Sequence, residues 1–107
     1  ALGTDYPVVT INPFNTIYAA LTRCDDHGHP TGCNAATEKL PLHVILKAYT
    51  DGAAKVYHAQ DQMGTIEPGK QADIIVLSQN LFEIPPQQIR ETHVDVNYFE
   101  GREIYRA

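Results

Sequence analysis

Asp5 is the side chain near the start of the sequence with the clearest potential for chemistry. It follows the short stretch Ala1 to Thr4 and comes directly before Tyr6-Pro7, which disfavours helix. Residues 1–5 are therefore predicted to be the end of a buried strand that delivers a carboxylate. Such a group can ligate a divalent metal and accept a proton from metal-bound water. The alternative, which the local sequence alone favours, is a turn aspartate that hydrogen-bonds to its own backbone.

A second group of chemically capable residues forms the pattern C-x2-H-x-H-x3-C, with Cys24, His27, His29 and Cys33. All four side chains are of types that bind zinc, but the spacing is not that of common structural zinc sites. A small zinc module is therefore one hypothesis for this segment. A disulfide between Cys24 and Cys33 is another, and would indicate an oxidising compartment. Unpaired thiols and solvated loop histidines are the interpretation that the pattern favours.

Two further charged residues lie in the second half of the chain. Lys70 follows Pro68-Gly69 in a predicted turn, and we expect it to be solvated and not nucleophilic. Asp73 precedes an apolar run and is expected to bond local backbone groups. No serine-centred elbow and no phosphate-binding glycine loop is present in the sequence.

Helices are predicted in the first half of the chain, where they would position Asp5. Asn12 is a favourable cap and Pro13 suits the first helical position, so the apolar spacing that follows predicts a helix over about 13–22. Residues 23–38 lack apolar periodicity and are predicted to be a loop. Two consecutive helices are expected within 41–58, with Thr50 or Asp51 capping the second.

Strands and turns are predicted from residue 63 onward. Residues 67–70 have proline and glycine where a type II turn requires them. Residues 72–77 are rich in isoleucine and valine, which predicts a buried strand. Residues 94–105 alternate around Glu100-Gly101, which predicts a β-hairpin.

Composition excludes several classes of protein. The chain has 107 residues and a formal net charge of −5, which argues against nucleic-acid binding and against a polybasic membrane-surface protein. Its longest aliphatic run is residues 74–77, far short of the roughly 20 apolar residues of a membrane span. No signal peptide is visible at the start. A cytoplasmic location is expected, and an exported parent protein remains an alternative.

Four segments, in the right order, resemble the metal-dependent amidohydrolases. Residues 63–77 resemble the pattern G-x-I-x-x-G-K-x-A-D-[IL]-[IV]-V-L at the C-terminal end of that superfamily. Gly-Thr-Asp-Tyr-Pro at residues 3–7 and Ala-Leu-Thr-Arg at residues 20–23 are similar to amidohydrolase family 3, the subgroup of the N-substituted formamide deformylases. Residues 101–105 resemble the closing hairpin of these proteins. Where many members have Ser and Trp, this sequence has Thr4 and Tyr6.

The resemblance implies an α/β plus β fold: the last strand and helices of a (β/α)8 barrel, followed by C-terminal strands of a composite β-sandwich. Residues 1–60 would form the end of the barrel and residues 61–107 part of the sandwich. It implies that Asp5 is both a metal ligand and the catalytic carboxylate that activates the attacking hydroxide. The reaction would be hydrolysis of an amide-like, non-peptide C–N bond in a small molecule, with a divalent metal, zinc by expectation, in the complete enzyme.

The resemblance also implies what this chain lacks. The family's early-strand segment, which supplies an H-x-H pair, and its middle-strand segments, which supply further ligands, have no counterpart in the sequence, and a catalytic zinc needs about three protein ligands. We therefore expect a C-terminal fragment that is inactive alone and possesses no metal of its own. Because its strand lacks neighbours, we expect the fragment to form homo-oligomers by strand exchange, with rearrangement or a loose backbone over residues 1–12 as alternatives. The alternative is a stand-alone oligomerisation or interaction module derived from an amidohydrolase.

Overall fold

The structure is a computed structural model that describes residues 1–32 and 35–107. Its elements follow one another along the chain as three helices, a strand, a 3₁₀ helix and two further strands. Their bounds are α1 Pro13–Thr22, α2 Leu42–Tyr49, α3 Asp51–Val56, β1 Ile74–Leu77, the 3₁₀ helix Pro86–Glu91, β2 Val94–Phe99 and β3 Arg102–Arg106. This is a small α/β domain with a three-stranded antiparallel sheet, as the coarse fold class predicts.

The first helix has the bounds and the cap predicted from the sequence. The Asn12 side chain accepts a hydrogen bond from the backbone N–H of Phe14 at 2.9 Å, and Pro13 begins the helix. An N-cap side chain of this kind satisfies one of the N–H groups that a helix leaves unpaired. The helix ends at Thr22; the C-cap residue Arg23 donates the last helical bond, from its N–H to the carbonyl of Ala19, and its left-handed backbone (φ 58°) then turns the chain out of the helix.

The second and third helices meet at Thr50, but its side chain does not cap α3. The Thr50 hydroxyl instead donates to the carbonyl of Leu46, one turn back in α2, at 3.0 Å. Thr50 therefore occupies the predicted N-cap position of α3, but it makes no side-chain cap bond there, because its hydroxyl bonds to the preceding helix. Asp51 begins α3 and pairs with Lys55 at 2.9 Å and with Lys47 at 3.7 Å.

The sheet has the order β1-β2-β3, and both pairings are antiparallel. Glu100 and Gly101 join β2 to β3 and both have positive φ angles, 50° and 76°. Two successive residues with positive φ define the tight hairpin turn whose twist matches that of the strands. The predicted hairpin is confirmed. The type II turn at 67–70 is confirmed by Gly69 (φ 91°) and by the bond from Lys70 N to Glu67 O at 3.2 Å.

The hydrophobic core lies between the helices and the segment that follows β1. Its centre consists of Phe14, Ile17, Ile45, Leu81 and Ile89, and Leu2 and Leu77 pack against it. Ile45 and Ile89 are the most deeply buried, with 0% and 1% exposure. The core thus takes residues from both halves of the chain, which fastens the helices to the strand-rich segment.

Two predictions about strands are wrong. Residues 1–4 have no regular secondary structure, because no described strand lies beside them. Their backbone bond to the rest of the described chain runs from Leu2 N to the carbonyl of Ala48 in α2, at 3.2 Å. The strand β1 forms, but its two central residues are not buried: Ile75 is 51% and Val76 is 45% exposed. Its apolar run predicted two covered faces, and no described element covers them.

Within the described part of the chain, no helix has the length and hydrophobicity that crossing a membrane requires.

Candidate functional site

Asp5 lies three residues after Leu2, the residue that attaches the N-terminal segment to the core. Leu2 supplies that attachment, since its side chain packs against the core and its N–H bonds to Ala48 in α2. Asp5 has a left-handed backbone (φ 52°), and its carbonyl accepts a bond from Val8 N at 2.8 Å. Aspartate adopts this conformation more readily than most residues. The turn therefore lifts the carboxylate away from the core.

The Asp5 carboxylate is exposed, and it forms no hydrogen bond or ion pair with the described residues. The expected alternative, a turn aspartate whose side chain bonds its own backbone, is therefore not what the structure shows. The residues beside it are exposed and apolar: Tyr6 by 66%, Val8 by 77% and Ile11 by 75%. The site presents an exposed carboxylate next to exposed apolar side chains.

The loop that contains the two histidines is closed by its own backbone. Cys24 and Pro30 form an isolated β-bridge, and Asp25 N bonds to His29 O at 2.9 Å. One Asp25 carboxylate oxygen accepts from the backbone N–H groups of His27 and His29, both at 2.9 Å. These donors, that of His29 foremost, hold the pKa of Asp25 below its usual value of 3.8. Asp25 thus organises the loop, and the sequence analysis missed it.

The described residues do not fit a metal ion on their own. Among residues 1–32 and 35–107, no three His, Cys, Asp or Glu side chains converge as a possible metal site. Neither Asp5 nor the group Cys24, His27 and His29 is part of such a site among the described residues. The zinc hypothesis for that group also involves Cys33. Both Cys33 and the predicted Cys24–Cys33 disulfide lie outside the described residues. The Cys24 thiol lies 3.6 Å from the carbonyl of Thr22.

Lys70 is not the solvated turn lysine that the sequence predicts. Its side chain is 17% exposed, and its ammonium group donates to the hydroxyl of Thr65 at 2.6 Å and pairs with Glu67 at 2.9 Å. The hydrogen bond from Lys70 lowers the pKa of the Glu67 carboxyl. Lys70 was expected to point outward because a turn is usually solvated, but its flexible side chain folds back over the turn.

Asp73 does bond a backbone group, as predicted, but a distant one in sequence. Its carboxylate accepts from the backbone N–H of Glu100 at 2.8 Å. A second bond, from Gly101 N to Ala72 O at 3.0 Å, lies beside it. These two bonds fasten the start of β1 to the turn between β2 and β3.

A groove that the sequence analysis missed runs beside β1. We define the β1 groove as the space between the α2–α3 helices and residues 63–75, with a volume of about 750 Å³. Its lining includes Tyr49, Tyr57, Met63, Ile66 and Ile75. Tyr57 and Ile66 are more than four-fifths exposed, and the buried hydroxyl of Tyr49 has no hydrogen-bond partner among the described residues. An apolar run next to a turn was the only sequence signal for this groove.

Comparison with known proteins identifies the family. Residues 1–105 match the sequence profile of the amidohydrolase family, which is nearly the whole chain. The chain belongs to the amidohydrolase family. The resemblance inferred from the four motif segments is thereby confirmed.

Three curated relatives extend this result. A family protein of Bacillus subtilis (strain 168), YtcJ, is 29% identical over 103 residues, covering 96% of this chain and 20% of its own length. The 5-methylthioadenosine/S-adenosylhomocysteine deaminase of Teredinibacter turnerae is 33% identical over 86 residues, covering 80% and 19%. The N-substituted formamide deformylase of Arthrobacter pascens is 27% identical over 101 residues, covering 94% and 18%. The chain spans about a fifth of the length of these relatives.

One solved structure has the same arrangement. An amidohydrolase from Thermotoga maritima MSB8 superposes with a TM-score of 0.66 at 26% sequence identity, covering 96% of this chain and 22% of that one. The fold described above is therefore one that occurs within an amidohydrolase.

Proposed function

We propose that this chain is the C-terminal part of a metal-dependent hydrolase that cleaves amide-like, non-peptide C–N bonds in small molecules. The observation that carries the proposal is the family match over residues 1–105. Two of the relatives are named for a deamination and a deformylation, and both reactions break a C–N bond. The proposed substrates are small amides, formamides among them.

The proposal assigns each half of the chain a place in a larger fold. Residues 1–60 would close a (β/α)8 barrel, with residues 1–5 pairing as its eighth strand once neighbouring strands are present. Residues 61–107 would contribute strands to a composite β-sandwich. The irregular backbone of residues 1–4 and the half-exposed β1 are what isolated pieces of such a fold would show, because a strand without neighbours has unpaired backbone groups.

Within this enzyme, Asp5 is the proposed catalytic and metal-ligating residue. Three observations support it: the carboxylate is exposed, it forms no bond within the described chain, and its segment is fastened to the core through Leu2. A carboxylate with free lone pairs on a fixed segment is suited to accept a proton from an attacking water.

The proposed cofactor, a divalent metal and by expectation zinc, requires residues that lie outside this chain. A catalytic zinc has about three protein ligands, and the described residues offer no such group. The chain alone is therefore proposed to be inactive, and any catalysis belongs to the complete enzyme.

The test compares the complete open reading frame that contains these residues with the 107-residue chain. We expect the longer protein to release formate or ammonia from a panel of small amides and formamides, and the short chain to release none. Asp5→Asn in the longer protein should lower kcat by at least about a hundredfold, as expected for loss of a general base. Treatment with a chelator should abolish turnover, and added zinc should restore it.

Asp61→Asn is the matched control, because Asp61 is also an exposed aspartate but lies outside the N-terminal segment. It should retain full turnover. If Asp5→Asn turns over as fast as Asp61→Asn, the catalytic role of Asp5 is refuted. If no C–N substrate is hydrolysed by the metal-loaded longer protein, the proposed activity is refuted.

A further inference from the structure

The N-terminal segment runs in the opposite direction to α2, and two of its contacts give this direction. A Cβ added to Gly52 would lie 3.8 Å from the backbone nitrogen of Ala1. The N–H of Leu2 bonds to the carbonyl of Ala48 at 3.2 Å. One residue further along the segment is therefore four residues further back along the helices. The segment points toward the start of α2, and Asp5 follows three residues after Leu2.

The loop that follows α1 lies at that same end of α2. Leu40, two residues before α2 begins, donates its N–H to the carbonyl of Ala20, near the end of α1, at 3.0 Å. The end of α1 and the loop of residues 23–32 that follows it therefore lie beside the start of α2. Residues 6–41 thus join the Asp5 end of the N-terminal segment to the start of a helix that runs antiparallel to it.

In a (β/α)8 barrel, a connection of this kind lies at the catalytic face, because catalytic residues sit at the carboxyl ends of the strands and the loops that follow them surround the site. This placement rests on the proposed function, in which residues 1–5 form the eighth strand. Under it, the backbone of residues 23–32 forms part of the wall around the substrate. A wall selects substrates only when its backbone is held in place.

Arg90 holds this loop from the other half of the chain. It lies in the 3₁₀ helix, and its Nη1 donates to the backbone carbonyl of Asp26 at 3.0 Å and lies 3.5 Å from the Asp26 carboxylate. Its guanidinium carbon also lies 4.5 Å from the centroid of the Tyr18 ring in α1, within the range of a cation–π interaction. One side chain thus connects the loop, α1 and the strand-rich half.

Both supports of this connection are buried. The Tyr18 ring belongs to a residue that is 3% exposed, and Ile89, the neighbour of Arg90, is 1% exposed. Because the shorter contact is with a backbone carbonyl, it restrains the course of the loop itself. The ion pair contributes less, since the Asp26 side chain is 84% exposed and solvent screens the two charges.

We propose that Arg90 is a positioning residue for substrate binding, which holds residues 23–32 through the carbonyl of Asp26 as part of the wall around the site of Asp5. The observation that carries the inference is the single guanidinium between Tyr18 and Asp26, next to the end of α2 toward which the Asp5 segment points. The strand-rich half of the chain, which contains no catalytic residue in the proposed function, thereby takes part in the choice of substrate.

The test uses the longer protein and compares Arg90→Ala with Arg102→Ala. Arg102 is the matched control, because it is an exposed arginine in β3, in the same half of the chain. For the amide that is hydrolysed fastest, Arg90→Ala should raise KM at least about fivefold and keep kcat within about twofold, because a displaced wall weakens binding without altering the reacting groups. Arg102→Ala should change neither constant.

Hydrogen exchange on the same proteins gives a readout that does not depend on activity. The backbone amides of residues 23–32 should exchange at least about tenfold faster in Arg90→Ala than in Arg102→Ala, because the loop has lost a restraint against local opening. Unchanged exchange overturns Arg90 as the residue that holds the loop. Exchange that is equally faster throughout α2 overturns it too, since it would mean a general loss of stability.

The two proposals fail in different ways. Faster exchange in the loop with KM unchanged, while Asp5→Asn is inactive, overturns the substrate role of Arg90 and leaves the proposed hydrolase intact. A fall in kcat with KM unchanged does the same. A longer protein that hydrolyses no C–N substrate overturns the proposed function and the substrate role of Arg90 with it, and hydrogen exchange still decides whether Arg90 holds the loop.

Discussion

Gly64 lies so close to α3 that adding a single methyl group there should be costly. A Cβ at residue 64 would lie 2.7 Å from the Cβ of Ala54 and 3.1 Å from the Cα of Asp51. Gly64 also has a φ of 97°, a conformation that side chains rarely adopt. Gly64→Ala therefore combines a backbone penalty with a steric clash against the start of α3.

The backbone penalty and the steric clash can be measured separately, because Gly69→Ala would incur only the backbone penalty. Its φ is 91°, close to that of Gly64, but a Cβ there would meet nothing within 4 Å. We expect Gly69→Ala to cost about 1–2 kcal/mol from the left-handed backbone. Gly64→Ala should cost about 1–3 kcal/mol more, the usual penalty of overpacking. The gain from a stiffer unfolded chain is common to both variants and cancels in the comparison.

Urea unfolding monitored by circular dichroism measures this difference. A domain of this size has a stability of about 5–15 kcal/mol, so both variants should remain folded at low urea, with Gly64→Ala unfolding at the lower midpoint. Equal midpoints would refute the argument that residue 64 packs against α3. Adding Ala54→Gly to Gly64→Ala should recover part of the loss, because it removes the nearest of the clashing atoms.

Two further predictions concern carboxylates that hold loops in place. Since the folded state lowers the pKa of Asp25, its contribution to stability is present above the unfolded-state value of 3.8 and is lost as the pH falls through the lower folded-state pKa. Asp25→Asn should therefore lower the urea midpoint at neutral pH and have no effect in strong acid; an equal effect at both would contradict the two backbone bonds. Asp73→Ala should destabilise the chain by about 1 kcal/mol by removing the acceptor for Glu100 N. Its signature is faster hydrogen exchange at Glu100 with exchange in α1 unchanged, and unaltered exchange at Glu100 would contradict it.

The elements that the sequence predicted correctly are those decided by neighbouring residues. Asn12 caps α1 through a bond that spans two positions, and the turn at 67–70 closes between residues three apart. The family, too, could be inferred, because its motifs are short and continuous. In each case the decisive interaction lies within a few residues of its sequence signal.

The wrong predictions about strands depend on which elements lie next to each other in the fold. The aliphatic run predicts that β1 is a strand, but it does not predict which element, if any, buries the side chain of Ile75. Residues 1–4 could be predicted as a strand only by assuming a neighbouring strand. In the described chain, the Leu2 N–H bonds instead to the helix α2. The bond from Glu100 to Asp73 joins segments 27 residues apart, and local propensity contains no information about it. The ion pair of Lys70 with Glu67 is local, but the turn sequence alone does not specify which way the lysine side chain folds.

The attachment of the N-terminal segment through Leu2 has a consequence for the substitutions that this chain can tolerate. Leu2 packs on the cluster that contains Ile45, and its N–H bonds to α2, so the position of Asp5 depends on the packing of that helix. A substitution at Ile45 that left the chain folded but shifted α2 would also displace the carboxylate. Under the proposed catalytic role of Asp5, substitutions at this interior position would be limited both by folding and by the placement of a side chain that Ile45 does not contact.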